Sequence, residues 1–315
     1  MPTAYRTEAA PQTRRRRRRK RHTLLKLLLL VLVVFVAYRL TDGFALIRHG
    51  GGSAPMDNIE TTFNLNLASL EFQITDEMEQ FTASENDIAR LRALAEKRDE
   101  YADGLDFMIR HIGIYSQEAV NTVLLSPEKL DFVLLEPFVP PDDSGTYAEI
   151  KVKKGEIPFL LQYDSRWAFH RYGSSVMGYT ACGPTCLSMV AIGLTGNAGY
   201  TPAYVSDLAE QSGYYVSGAG TAWSLFTGGA SMFGLNGQTV SVDKQTMQEC
   251  LKKGGALIAS MLPGDFTNVG HFIVIHDYDA GGFDIYDPSS VERSRQNWTF
   301  SDLQPQIAQL WNLTA

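Results

Sequence analysis

Thr180-Ala181-Cys182-Gly183-Pro184-Thr185 runs directly into Cys186-Leu187-Ser188-Met189-Val190-Ala191-Ile192-Gly193-Leu194. The second half has the apolar density of a buried helix, and Gly183-Pro184 supplies a tight turn with a proline suited to an early helical position. Cys182 therefore stands at a helix start, where unpaired backbone N–H groups and the helix dipole favour negative charge and lower a thiol's pKa. A thiol reacts as thiolate, so Cys182 is the candidate nucleophile. Cys186, one turn further in, and Cys250, within the helix-like stretch Gln245 to Lys252, read as small buried apolar residues. Sequence alone leaves a Cys186–Cys250 disulfide open.

Downstream, a strand over Ala256 to Met261 and a turn at Pro263-Gly264 precede Gly270-His271-Phe272-Ile273-Val274-Ile275. Asp279-Ala280-Gly281-Gly282 then turns that strand back into Phe283 to Asp287. A cysteine nucleophile needs an imidazole to take its proton and pass it to the leaving group. His271 opens an apolar strand, where a strand end presents its side chain to a cleft. His276 has the opposite parity and is expected on the other face. Asp287 is the candidate to orient the base, brought back beside His271 by the turn; Asp284 is the runner-up, and Asp277 and Asp279 read as turn residues. The backbone N–H of Cys182 and the side-chain amide of Gln162 are candidate oxyanion donors.

Upstream, an apolar strand is expected over Ile157 to Leu161, leading into Gln162-Tyr163-Asp164-Ser165-Arg166-Trp167, with later helices near Ala203 to Ser212 and from about Trp223. Residues 85–140 carry apolar residues at helical spacing, among them Leu91, Leu105 and Met108. Ser116 is placed to cap one short helix and Ser126-Pro127 to open another. These residues read as a helical module. Helices first and antiparallel strands second make the fold class α+β. The Pro- and Asp-rich stretch Pro137 to Gly145 marks the boundary to a catalytic domain over 150–315.

With 44% hydrophobic and 20% charged residues, the 315-residue chain has a globular composition. Residues 1–22 carry about +8, while the whole chain is −7, so a basic tail precedes an acidic body. Leu24 to Tyr38 is apolar except for Lys26. Residues 23–41 are therefore expected to be an uncleaved signal anchor in the cell membrane, the alternative being a cleaved signal peptide, for which the small-residue pattern around Ala37-Tyr38-Arg39 is poor; either way the arginines are cytoplasmic and everything after residue 42 is exported. Residues 42–84 read as a linker. A nucleic-acid role for the arginine run is excluded because no interleaved aromatic or base-reading motif accompanies it. No histidine pair with a carboxylate has metal-ligand spacing, and neither Gly218-Ala219-Gly220 nor Gly228-Gly229 matches a phosphate-binding loop, so no metal or cofactor is expected.

The fragments Gln162 to Trp167, Tyr172-Gly173, Ala181 to Thr185, Gly270 to Val274 and Tyr286-Asp287-Pro288, taken in order, resemble the C39-like peptidase family, a branch of the papain-like cysteine peptidases. The stretch with Ser126-Pro127-Glu128 and Leu130 to Val133 looks like a segment found upstream of this domain in Gram-positive bacterial proteins. The resemblance implies a papain-like fold with Cys182, His271 and Asp287 as a triad and Gln162 completing the oxyanion hole. With the anchor, the expectation is an extracellular thiol peptidase that hydrolyses peptide or isopeptide bonds in a peptide or protein substrate, with the cell envelope as its expected source. Two other readings keep the cleft: a surface peptide-binding module, and an acyl or peptidyl transferase.

Overall fold

Hydroxyl and carboxylate caps open several of the helices. The Ser84 side chain accepts from the Asp87 N–H at the start of α1 (Glu85–Lys97), and Ser116 accepts from Ala119 at the start of α3 (Gln117–Leu125). Between them lies α2 (Ala102–Arg110). A single 3-10 turn, Pro127–Lys129, then leads into α4 (Leu130–Leu135). The computed structural model describes residues 59–315, apart from 145, 146, 148, 149, 152 and 154. The basic tail, the expected anchor over 23–41 and the first part of the expected linker lie outside the described residues. Among the described residues no helix is long and apolar enough to cross a membrane.

The stretch after Ala181 forms α5 (Cys182–Thr195), which ends where Gly196 takes φ 77°, a left-handed conformation that favours glycine. Thr201 caps α6 (Pro202–Gln211), and Asp243 caps α7 (Lys244–Lys252). The main sheet has six strands, in chain order β1 (Asn236–Thr239), β2 (Ala256–Met261), β3 (His271–Tyr278), β4 (Phe283–Tyr286), β5 (Asn297–Trp298) and β6 (Ile307–Thr314). They form one antiparallel sheet in the order β1-β6-β2-β3-β4-β5. The mixture of helices and antiparallel sheet is α+β.

Strand alternation sorts the sheet's two faces. Ile258, Phe272 and Val274 share a core with Cys186, Leu187 and Val190 of α5. Leu257, Ala259, Ile273 and Ile285 face a second cluster with Met247, Phe266 and Leu303. Cys186 belongs to the first cluster and Cys250 packs against the second, and both are free thiols. The disulfide left open by the sequence is therefore not formed, because the sheet stands between the two sulfurs.

Two expectations are corrected. Ile157 to Leu161 is not a strand: Pro158 has no N–H to give a ladder, and the Leu160 N–H points at the Met189 sulfur of α5, 3.3 Å away. The segment is a buried extended strap on α5. The helix expected from Trp223 is two short 3-10 stretches, Trp223–Phe226 and Gly229–Phe233, separated by Thr227 and Gly228, with Thr227 out of helical conformation at φ -115° and ψ -83°.

Residues 85–140 do not pack on themselves alone. Leu91, Leu105, Phe107, Val120 and Phe132 are fully buried in the same core as Phe159, Leu187 and Val190. Phe132 rests on Tyr179 with ring centroids 4.9 Å apart. Its ring lies so close to Gly178 that a Cβ there would come within 2.2 Å of it. Part of the expected linker is also attached: the Glu60 N–H donates to Asp164 Oδ2 at 2.7 Å, and Phe63 packs on Phe132 and Phe169.

Candidate active site

Cys182 is the first residue of α5 and half-buried. Burial by itself would push its thiol up. The hydrogen bond and charge of His271, with the N–H groups of Phe272 and Gly183 aimed at the sulfur, outweigh burial and hold the thiol below its ordinary range. Gly183 has a second use: a Cβ there would come within 2.8 Å of the Thr221 side chain, so the glycine lets the 220–221 strand close over the helix start. The sulfur opens into a cleft of about 790 Å³ whose lining includes Thr180, Thr221, Trp223, Val269 and Phe272.

His271 is the first residue of β3, as its sequence position implied. Val274 pairs with Tyr286 across the β3–β4 hairpin, so Asp287, one residue beyond β4, stands opposite Ile273 and diagonal to His271 on one face. The His271 Nε2 lies 2.7 Å from Asp287 Oδ1, which leaves Nδ1 for the thiol. Burial works against the imidazolium, yet the Asp287 carboxylate and the Cys182 thiolate push it up to about 9. The arrangement is a cysteine–histidine ion pair oriented by a buried carboxylate. His276 lies at an irregularity of the β3–β4 register; its ring stacks on Tyr286 at 3.8 Å, and burial pushes its pKa down to about 4. Asp284 instead accepts from Asn297 Nδ2 at 3.0 Å.

Gln162 is buried beside the site, but its amide is engaged elsewhere. Nε2 donates to the carbonyls of Met177 and Gly178, at 3.3 and 3.0 Å, and Oε1 accepts from Ser289 Oγ at 2.9 Å. Both amide hydrogens are therefore committed to the turn that precedes Cys182. In this conformation Gln162 has none left to donate to an oxyanion, and it ties the Cys182 side of the cleft to the Asp287–Ser289 side.

Three residues around Cys182, His271 and Asp287 were not singled out as site residues from sequence. Arg293 Nε donates to Asp287 Oδ2 at 2.6 Å, and its Nη groups reach the Leu125 carbonyl and Ser126 Oγ. Glu128 accepts from Ser290 Oγ and, at 2.9 Å, from the Val291 N–H. Lys129 is buried between the helical segment and Tyr163. The one sequence signal was a lysine sitting three residues after Ser126 and directly before the buried Leu130. Among the described residues no group of three or more His, Cys, Asp or Glu is placed to hold a metal ion.

A family model described as the Peptidase_C39 like family matches residues 155–315. Among solved structures, a candidate C39-like peptidase from Bacillus anthracis is similar at 16% identity and a TM-score of 0.32, over 52% of this chain and 98% of that one. No curated protein matches the chain.

Proposed function

The chain belongs to the Peptidase_C39 like family, and from that premise we propose that it is a thiol peptidase in which Cys182 is the nucleophile, His271 the acid–base and Asp287 the orienting carboxylate. The observation that carries the reading is the single hydrogen-bonded line from the Cys182 sulfur through the His271 ring to Asp287 Oδ1.

The chemistry follows from the ion pair. The Cys182 thiolate adds to the substrate carbonyl carbon, and backbone N–H groups at the start of α5 receive the developing oxyanion. As the tetrahedral species collapses, the C–N bond breaks and the His271 imidazolium gives its proton to the leaving amine. A water molecule then attacks the thioester and passes its proton to His271; the carboxylic acid product leaves, and the thiolate is regenerated. Asp287 keeps the imidazole ring turned to the sulfur throughout.

Attachment to a membrane through residues 23–41, with the catalytic part outside the cell, belongs to the same proposal. It is supported by the arginine run followed by an apolar stretch. Externally added protease is expected to remove the body from intact cells and to spare the arginine-rich tail.

The chemical test is labelling of the full chain with limiting iodoacetamide at pH 6, beside Cys182→Ala and His271→Ala. Cys182 is expected to label ahead of Cys186 and Cys250, and at least tenfold faster than in His271→Ala. Labelling that is slow and indifferent to His271 sinks the catalytic reading.

A further inference from the structure

Lys129 is a buried cation whose amine lacks an acceptor. It is 4% exposed, and among the described residues none accepts a hydrogen bond from its Nζ. The amine lies 5.5 Å from the centroid of the Tyr163 ring, a contact that offsets part of the cost of burying it. The two nearest anions are already engaged: Cys182 pairs with His271, and Asp287 pairs with Arg293 while also receiving His271 and the Ser289 N–H. A buried ammonium with its donors unused is unfavourable unless something supplies an anion.

What Lys129 borders is space. A pocket of about 360 Å³ lies between α3 and the loop before β3, lined by Thr122, Ser126, Lys129, Thr267 and Asn268, with His271 on its wall. It shares Tyr179, Val269, Gly270 and His271 with the cleft that holds Cys182, so the two are arms of one groove on either side of the imidazole. Glu118 also borders both arms at the rim; burial pushes its carboxyl up while Lys129 pulls it down, and no hydrogen bond joins it to the amine.

We propose that this second arm is a substrate subsite in which the Lys129 ammonium receives a carboxylate of the bound peptide, from a free C-terminus or from an Asp or Glu side chain. The inference rests on the peptidase reading and names the substrate chemistry of that site. A carboxylate gives the ammonium a charged acceptor in a poorly solvated place, where such a bond is strong. The volume accommodates one residue, at the lower end of the range for ligand pockets.

The test uses the full chain and fluorogenic hexapeptide pools that differ only in charge. One pair compares Asp and Glu with Asn and Gln; the other compares a free C-terminal carboxylate with a carboxamide. In the wild type, kcat/KM is expected to favour the carboxylate of one pair by about tenfold or more, and which pair responds identifies its source. In Lys129→Met the ratio is expected to fall to within about twofold of one. Turnover with a ratio near one in the wild type overturns the subsite and leaves the peptidase reading intact.

Absence of turnover counts against the peptidase reading alone, because the subsite is then read from protection of Cys182 against iodoacetamide. Carboxylate peptides are expected to protect at about tenfold lower concentration than their amides, and equal protection overturns the proposal. Should Lys129→Met not fold, the wild type still decides. Burial lowers the Lys129 pKa to about 8, against the opposing pull of Asp287 and Cys182, with Arg293 and Glu118 the other charged groups around it. The carboxylate preference should therefore fall as pH rises through that region. Taking the ratio of the two pools cancels the shared titration of Cys182 and His271, and a ratio unchanged from pH 6 to 10 overturns the subsite.

Discussion

Arg293 grips Asp287 by the oxygen that His271 leaves free: Arg293 Nε meets Oδ2 at 2.6 Å, while His271 Nε2 meets Oδ1 at 2.7 Å. Asp287 is wholly buried, and burial alone would push its carboxyl up. The two cations outweigh that and hold it well below the usual carboxylate range. With both oxygens bound, the carboxylate plane is fixed, and so is the His271 ring. Arg293 in turn is held by Leu125 and Ser126, so the orientation of the base depends on a segment about 145 residues upstream of it.

Removing the guanidinium should accordingly destabilise the protein as well as slow it. Arg293→Met leaves a buried carboxylate with one cation, and breaking a buried pair from one side typically costs about 3–5 kcal/mol. Urea unfolding is expected to show that loss. Asp287→Asn in the Arg293→Met background should lose less than the sum of the two single changes, because the uncompensated charge is gone. Wild-type stability in Arg293→Met would show that the contact holds nothing.

The pH dependence of reactivity follows from the shifted pair. The Cys182 thiol lies below its ordinary value and the His271 imidazolium is pushed up to about 9, so the ion pair occupies the window between them. The two groups titrate as a coupled unit. Iodoacetamide labelling at pH 6 should be faster for Cys182 than for an ordinary thiol, which is almost wholly protonated there. The pH profile of kcat/KM should have its alkaline limb near 9, as His271 loses the proton it must give to the leaving amine. The sign for stability agrees for His271: its contribution is complete below about 6.5 and is lost as pH rises through about 9. An alkaline limb near neutrality would contradict the pairing.

The parts of the site that sequence reveals are those set by local rules. Gly183-Pro184 marks the start of α5, strand parity separates His271 from His276, and the Asp279–Gly282 turn returns Asp287 to its place. The site contacts of Arg293, Ser126 and Glu128 escape such rules because the partners lie far apart in the chain: Arg293 meets Ser126 across 167 positions and Ser290 meets Glu128 across 162. No period or motif encodes those contacts. Gln162 was read as a candidate oxyanion donor, but the direction of its amide depends on Met177, Gly178 and Ser289 together. The strand expected at Ile157 to Leu161 failed for a similar reason. Its apolar run is satisfied by α5, and no neighbouring strand is there to complete a ladder.

Because the helical segment supplies core and site support at once, it is expected to be indispensable. A protein lacking residues 59–140 would expose the surfaces that meet Leu105, Val120 and Phe132, and would leave Arg293 without Leu125 and Ser126. It is expected to lose near-ultraviolet circular dichroism and cooperative unfolding, and Cys182 should label no faster than an ordinary thiol. A folded, fast-labelling fragment from residue 150 onward would show instead that the segment is an appendage.

Gln162 separates two ways in which a buried amide serves a thiol enzyme. A residue acting only as an oxyanion donor leaves the ground state alone: its loss lowers kcat by about 10²–10³ while the thiolate stays as reactive as before. Gln162 instead has both amide hydrogens on the Met177 and Gly178 carbonyls, within the turn that sets the position of Ala181 and Cys182, and its oxygen on Ser289, next to Asp287. Gln162→Ala would release the turn from the Asp287 loop and leave the Gly178 carbonyl and the Ser289 hydroxyl without this partner, while Met177 keeps the Ala181 N–H; the penalty is about 1–3 kcal/mol for each group left unsatisfied. The expected outcome is joint loss: slower iodoacetamide labelling of Cys182, lower kcat and lower stability together. Gln162→Glu removes the two amide donors and keeps an acceptor for Ser289, so it should lose reactivity at Cys182 as well. Full labelling speed in Gln162→Ala, with only kcat reduced, would mean that the amide swings away from Met177 and Gly178 during turnover and acts on the substrate.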